Sequence, residues 1–346
     1  MHKYVAPHGH ACVQGADQLT YYWLLASHLM KKYLVRRLLG LIPTLFIISI
    51  IVFSLTRVLP GDPAAVLAAN EEGYIDAELR AAINERFGLN DSMIVQYGRW
   101  MKGVFTGDWG ISIFSGVPVF SQIMERASFT IQLAVLAWVT AILIGVPVGV
   151  LSALKRNSIT DMVATTFAVS GIALPNFWLG LMMIILFAVT LDWLPAGGYT
   201  PFSENPADWF KSMVMPTIVL GTALSAGIMR LMRSALLEVM GDDYVRTARA
   251  KGLGEPTVIW VHAVRNALLP VVTLITLQLG LLIGGTVVTE TVFFLPGVGR
   301  FVVDAVIAKD FQVVQMGLLF LTLGVVIANL VADVLYTILD PRIQYE

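Results

Sequence analysis

Charge and cysteine are both scarce in this chain of 346 residues. Only 14% of them are charged and the formal net charge is -1. Lys and Arg occur as short flanks of apolar runs, so no basic groove for nucleic acid is formed. A single cysteine, Cys12, excludes a disulfide within the chain. Also missing are the GxxxxGK[ST], HExxH and GxSxG patterns, which leaves the chain without a nucleotide loop or a common hydrolytic signature. No paired acid, base or metal cluster falls in or near the apolar runs, which argues against a membrane-bound enzyme. His8, His10 and Cys12 lack the paired spacing of a zinc site, and residues 1–29 read as a disordered leader ahead of Met30.

Apolar residues, in contrast, make up 57% of the chain, more than a soluble fold of this size buries. A helix crossing a bilayer needs about 20 mostly apolar residues. Six such runs are present, at 38–58, 131–154, 162–191, 213–236, 268–289 and 313–339. The expected fold is therefore an all-α membrane protein with six transmembrane helices and a small helical insertion after the first. Domain organisation follows: a leader at 1–29, the start and first span at 30–58, an extracytoplasmic segment at 59–128, and a core at 129–346. Positive charge resists translocation. Lys31, Lys32, Arg36 and Arg37 precede the first span, Lys155 and Arg156 follow the second, and Arg230, Arg233, Arg246, Arg249, Lys251 and Arg265 surround the loop after the fourth. All fall on one side, with Arg342 after the last span, so both termini are expected in the cytoplasm.

In the insertion, Asp76 is placed to cap a helix carrying Leu79, Ile83 and Phe87 on one face, with Gly88 as its stop. Tyr97, Trp100 and Phe105 offer aromatic contacts before the turn at Gly107, Asp108, Trp109 and Gly110. A receptor-docking platform and a packed loop closing the mouth remain equal readings. Pro175, beside Asn176, predicts a kink in the third span that serves either gating or packing. Within the spans Gln278, Asn329 and Asp333 are the polar candidates. Asp333 reads as a structural carboxylate bonded to a neighbouring helix rather than a proton relay, since no titratable partner is evident in the sequence.

The segment at 237–267 is polar, basic and placed between two spans. Val245, Ala248 and Gly252 recur at helical spacing while Arg246, Arg249 and Lys251 lie on other faces. Gly252, Gly254 and Pro256 break that helix, and a second amphipathic stretch from Thr257 re-enters the membrane at Leu268. A helix pair lying flat on the bilayer is the competing reading.

YVRTARAKG from Tyr244 to Gly252, followed by HAVRNALLP from His262 to Pro270, resembles the EAA coupling loop of ABC importer permeases. Arg246 and Thr247 stand where the generic pattern has Glu and Ala, and Leu269-Pro270 lies further from Gly252 than usual. Both departures are characteristic of the peptide-permease branch. LPGDPA at 59–64, the segment around Gly88, GDWGIS at 107–112, ALPNFW at 173–178, and LPGVGR at 295–300 with Asp310 resemble, in order, the B-type subunit of dipeptide, oligopeptide, glutathione and nickel importers. Ser128 stands where that family commonly has Pro.

The resemblance implies a multi-pass pore subunit of the bacterial inner membrane, with no cofactor in this chain. It would pair with a homologous second permease, two cytoplasmic ATPases that bind ATP and Mg, and an extracytoplasmic substrate-binding protein, all within membrane lipid. Tyr244, Arg246, Ala248, Arg249, Lys251, Gly252, Glu255, His262, Arg265 and Asn266 would couple to the ATPase. Asp108, Glu290, Pro296, Gly297, Gly299, Arg300 and Asp310 would form the extracytoplasmic mouth or dock the receptor, and Pro175 and Asn176 would line or kink the pathway. Di- or oligopeptides are the expected cargo, with glutathione and nickel chelates as alternatives. A gradient-driven secondary transporter would need inverted repeats and midplane ion ligands, neither of which is evident.

Overall fold

The computed structural model describes residues 37–57, 76–87 and 90–339. The leader, Lys31, Lys32, Arg36, the LPGDPA segment, Gly88 and Arg342 lie outside the described residues. Regular structure among the described residues is helical apart from one antiparallel bridge between Ile111 and Pro118. Helix α1 runs Arg37–Arg57, α2 Ala77–Phe87 and α3 Met93–Thr106. The bundle follows with α4 Val119–Leu154, α5 Ile159–Ala173, and α6 Asn176–Met183, which passes into a π-helical stretch at Ile184–Thr190. Helix α7 is Pro206–Val239 and α8 Asp243–Ala250. Helix α9 spans Glu255–Val292, α10 Val298–Ala308 and α11 Phe311–Leu339.

Local chemistry accounts for several of these limits. Asp76 accepts from the Glu78 and Leu79 amides at 2.9 and 3.1 Å and so caps α2 as expected. Asn205 takes the Ala207 and Asp208 amides, with Pro206 at the first helical position of α7. That start is seven residues before the apolar run. Helix α4 likewise begins at Val119, because the preceding amphipathic turns pack inward through Val119, Ile123 and Ala127 while Ser121 and Glu125 stay at the surface.

Five of the helices, α1, α4, α7, α9 and α11, are long and apolar enough to cross a membrane. The predicted third span is different. Instead of one kinked helix, α5 and α6 meet at 109°, with Leu174 extended and Pro175 preceding α6. Proline bars the helical conformation from the residue before it, and here the result is a break rather than a bend. Counted as one span, the pair makes a sixth.

Helices α4 and α7 form the spine of the bundle. Ala137, Ala141, Gly145, Gly149 and Ala153 recur every fourth residue along α4, all buried. Helix α9 packs beside α7, where Gln278 donates to the Leu224 carbonyl at 3.2 Å. Helix α11 closes on α9 where the Asn329 carboxamide lies against Gly280, a contact that leaves no room for a side chain at that position. Asp333 has the partner that the sequence did not reveal: Arg37 at the start of α1 lies 3.3 Å from it.

Candidate coupling site and the opposite mouth

Two polar constructions stand at opposite ends of the bundle. At the first, α8 begins with Asp243 and carries Arg249 in its last turn, each charge matching the helix dipole at its end. Its inner face, Val245 and Ala248, packs on Val258, Val239 and Met240. Helix α8 stops in a glycine cap. Gly252 has φ +80, its amide bonds to the Arg249 carbonyl at 2.9 Å, and the Leu253 amide reaches the Ala248 carbonyl at 3.4 Å. These are the two bonds of a Schellman ending, which requires a left-handed residue at this position. Nothing in the chain lies within 4 Å of the place a Cβ would take at Gly252.

Side chains then fasten α8 to α9 across the break. Arg249 Nε is 2.9 Å from Glu255 Oε1. Asn266 Nδ2 donates both to the Tyr244 hydroxyl at 2.9 Å and to the His262 carbonyl at 2.8 Å. The second stretch does not stop and restart at the membrane: from Glu255 through a π-helical segment at Val258–Val264 and past Pro270 it is one helix with the span. A wider π turn tolerates a residue count that a 3.6-residue helix would misalign, and such segments are frequent at functional sites. Of the expected coupling residues, Tyr244, Arg249, Glu255, His262 and Asn266 are thus tied together. Arg246, Lys251, Gly252 and Arg265 are exposed, and Ala248 is buried and faces inward. Arg246 has Asp243 within 3.5 Å at the surface.

Behind this knob lies a network that sequence reasoning missed. Asp161 of α5 is buried and receives Arg233 of α7 through both carboxylate oxygens, at 2.7 and 2.8 Å. Ser152 of α4 and the Asn157 amide, at 2.9 Å, complete its shell. Arg233 had counted only as a flanking positive charge, yet it joins three helices. A two-pronged guanidinium contact is specific to arginine. Asp161→Asn is expected to lower the thermal stability of the purified complex clearly, with Arg233→Lys intermediate. Equal melting curves for all three proteins would show the fork to be idle.

At the far end, Glu290 closes α9 with no exposure at all. Thr130 of α4 donates to its Oε1 at 2.8 Å and the Arg300 amide to its Oε2 at 3.0 Å. The Val298 amide in turn donates to the Thr130 hydroxyl at 2.9 Å. The carboxylate therefore sits on the N-terminus of α10, where free amides and the dipole favour an anion. Gly297 and Gly299 let it approach, since a Cβ at Gly297 would fall 2.0 Å from the Glu290 carboxyl carbon. Gly297 and Gly299, expected at the extracytoplasmic mouth, make a seat for a buried acid.

Nearby, the hairpin containing Ile111 and Pro118 is pinned by Ser112, whose hydroxyl donates to Asp310 at 2.6 Å. Asp310 is buried and also accepts the Val313 amide at 3.3 Å, capping α11. Glu290, Gly297, Gly299 and Asp310 are thus internal. Surface contact at this end falls to Asp108 and Pro296, which are exposed, and to the half-buried Arg300. Arg300 pairs with Asp304 at 3.5 Å and lies over the Phe294 ring, not against Asp310. Pro175 and the half-buried Asn176 stand at the 109° break between α5 and α6.

The arrangement is that of a membrane-spanning bundle with a polar, hydrogen-bonded knob at one end. Residues 145–345 match the family described as the binding-protein-dependent transport system inner membrane component, and residues 30–134 match its N-terminal family. A putative peptide transport system permease protein of Brucella suis is 41% identical over 92% of this chain and 100% of its own length. The glutathione transport system permease protein GsiC of Escherichia coli K12 is 40% identical over the same shares. A chain of the MetNI methionine ABC transporter, solved in inward-facing conformations, shares the fold with TM-score 0.51 and 20% identity, over 63% of this chain and 96% of that one. The chain belongs to the binding-protein-dependent inner membrane component family and is a multi-pass permease subunit of an ABC importer.

Proposed function

We propose that this chain forms half of an inner-membrane pathway for di- or oligopeptides, without an ATPase site of its own. Both termini are cytoplasmic in this reading. Its partners are a homologous second permease, two ATPase subunits that hold ATP and Mg, and an extracytoplasmic binding protein that delivers substrate. ATP closes the ATPase pair, the knobs move with it, and the spans open outward. Peptide cargo is supported by the Brucella relative, and glutathione is the alternative supported by the Escherichia coli one.

The observation that carries the reading is the knob itself. Arg246, Arg249 and Lys251 present positive charge on a helix bonded at two points to α9, and α9 continues unbroken into the span. A push on α8 therefore reaches the bundle as a rigid displacement, while its cations match an acidic surface on the ATPase. Glutathione, dipeptide and longer peptide would all use this same coupling.

Uptake of a labelled dipeptide, measured in cells lacking only this chain, tests the proposal. Wild type is expected to restore uptake and Gly252→Trp to leave it at least about tenfold lower, the factor that corresponds to about 1.4 kcal/mol. Gly252→Asn is the control, because asparagine tolerates the left-handed backbone that φ +80 imposes. If Asn rescues and Trp does not, with equal amounts in the membrane, the space beyond Gly252 is what the partner needs. Normal uptake by the Trp variant would reject the coupling role, and rescued glutathione uptake alone would reassign the cargo.

A further inference from the structure

Helix α3 has three faces, and one of them is largely exposed among the described residues. Gln96, Tyr97, Trp100 and Val104 turn toward the bundle. The Tyr97 hydroxyl is 2.7 Å from the Ser49 hydroxyl, and its ring meets Phe46 and Phe53 at 6.5 and 5.4 Å between centroids. Trp100 lies 5.9 Å from Phe53. A second face, rotated about a third of a turn at 100° per residue, carries Ile94 and Phe105, which are 84% and 82% exposed, with Gly98 and Met101 between them. The third face holds Arg99 and Lys102, both exposed.

The level of this helix along α1 decides what covers the second face. Ser49 is eight residues before Arg57, so Tyr97 meets α1 about 12 Å below its end at about 1.5 Å per residue. Helix α1 crosses the membrane, and around that level it exposes Ile47, Ile50 and Ile51. A helix standing in water above the bilayer would not reach Ser49. Aromatic residues flanked by cations, with an apolar stripe beside them, match the boundary between headgroups and acyl chains.

We propose that α3 is an interfacial helix embedded in the leaflet remote from the coupling knob, with Ile94 and Phe105 among acyl chains and Arg99 and Lys102 at the headgroups. The apolar surface is continuous with the exposed side of α1, which the same lipid covers. Helix α3 is thus a membrane-seated foot that holds the first span against the bundle. This placement does not rest on the identity of the cargo.

Nitroxide labels test it in the complete importer reconstituted into liposomes. Cys12→Ser removes the only thiol of this chain, after which Ile94→Cys, Phe105→Cys and Lys102→Cys are each labelled on the isolated subunit before assembly with its partners. The expected result is ready collision with molecular oxygen at Ile94 and Phe105, with accessibility to chromium oxalate at least about tenfold lower than at Lys102, because a polar solute is excluded from hydrocarbon. High oxalate accessibility at Ile94 and Phe105 would place the face in water and overturn the proposal. Low accessibility to both reagents would mean that a second permease or the binding protein covers it, and would overturn it equally. Phe105→Trp gives an independent reading: acyl-chain brominated lipid should quench the fluorescence that this residue adds to that of the eight native tryptophans, and an added signal that is not quenched rejects the lipid contact.

Discussion

Gly297→Ala is expected to prevent accumulation of a properly folded permease, although it adds a single methyl group. The new Cβ would lie 2.0 Å from the carboxyl carbon of Glu290 and 2.2 and 2.3 Å from its oxygens. A flexible side chain could move aside, but this one is fully buried and held by Thr130 and the Arg300 amide. Gly299 is no freer, since a Cβ there would meet the Val287 backbone at 2.7 Å and a Glu290 oxygen at 2.8 Å. Overpacking costs about 1–3 kcal/mol where neighbours can relax, and expelling the carboxylate would add the loss of buried hydrogen bonds, about 1–3 kcal/mol more. The expected loss is at least about 2 kcal/mol, read as reduced membrane content and as early aggregation of the purified complex on heating. A double-mutant cycle isolates the contact. Glu290→Ala removes the atoms in the way, so Gly297→Ala should cost little further in that background. If the two losses simply add, the glycine is not the seat of the carboxylate.

How much of this was legible in the sequence differs between the two ends. The spans could be read because an apolar run of membrane length is seldom stable anywhere but in lipid, and the helix, break, helix pattern of the knob was written in Gly252, Gly254 and Pro256. Asp76 announced its cap correctly. The early starts of α4 and α7 were harder, because their first turns are amphipathic and are held by tertiary packing or by a cap rather than by lipid. Asn205-Pro206 was in fact a readable start signal for α7. Pro175 was noticed, but a local rule gives the position of a bend and not its size, here 109°.

Phe105, read as an aromatic contact, points away from the bundle. At the far mouth LPGVGR was legible only as a resemblance, and only the fold reveals that its glycines make room for Glu290. Arg233 and Asp161 are 72 residues apart in sequence, so charge counting could assign them to a flank but not to each other. The same holds for Arg37 and Asp333. Long-range pairs of this kind depend on which helices become neighbours, which a single sequence does not record.

Close approach of α4 and α7 leads to the other large effect, the loss of assembly on filling Gly149. Lipid tails are as apolar as leucine, so helices within a membrane associate through packing rather than through escape from water, and small residues let backbones meet. Gly145 and Gly149 do this within the stripe of alanines. A Cβ at Gly149 would stand 2.7 Å from the Met232 Cβ and 2.8 Å from the Met229 carbonyl oxygen, and one at Gly145 would stand 2.8 Å from Ile228 and 2.9 Å from the Ser225 carbonyl oxygen. Carbonyl oxygens cannot yield as a methionine tip can, so relief requires the two helices to part. Parting them would also separate Ser152 on α4 from Asp161 and Arg233, and loosen the base on which the knob stands. Gly149→Ala should therefore destabilise by about 1–3 kcal/mol and Gly149→Leu should abolish the purified complex. Leu143→Ala, on the exposed side of the same helix, should change little. The measurement is the fraction of monodisperse complex surviving a heating series in detergent. Survival of Gly149→Leu at the level of Leu143→Ala would mean that α4 and α7 are not in backbone contact at this point. Met232→Ala supplies the finer test: it should recover part of the Gly149→Ala loss, but not the part due to the Met229 carbonyl, because only the side chain has been removed.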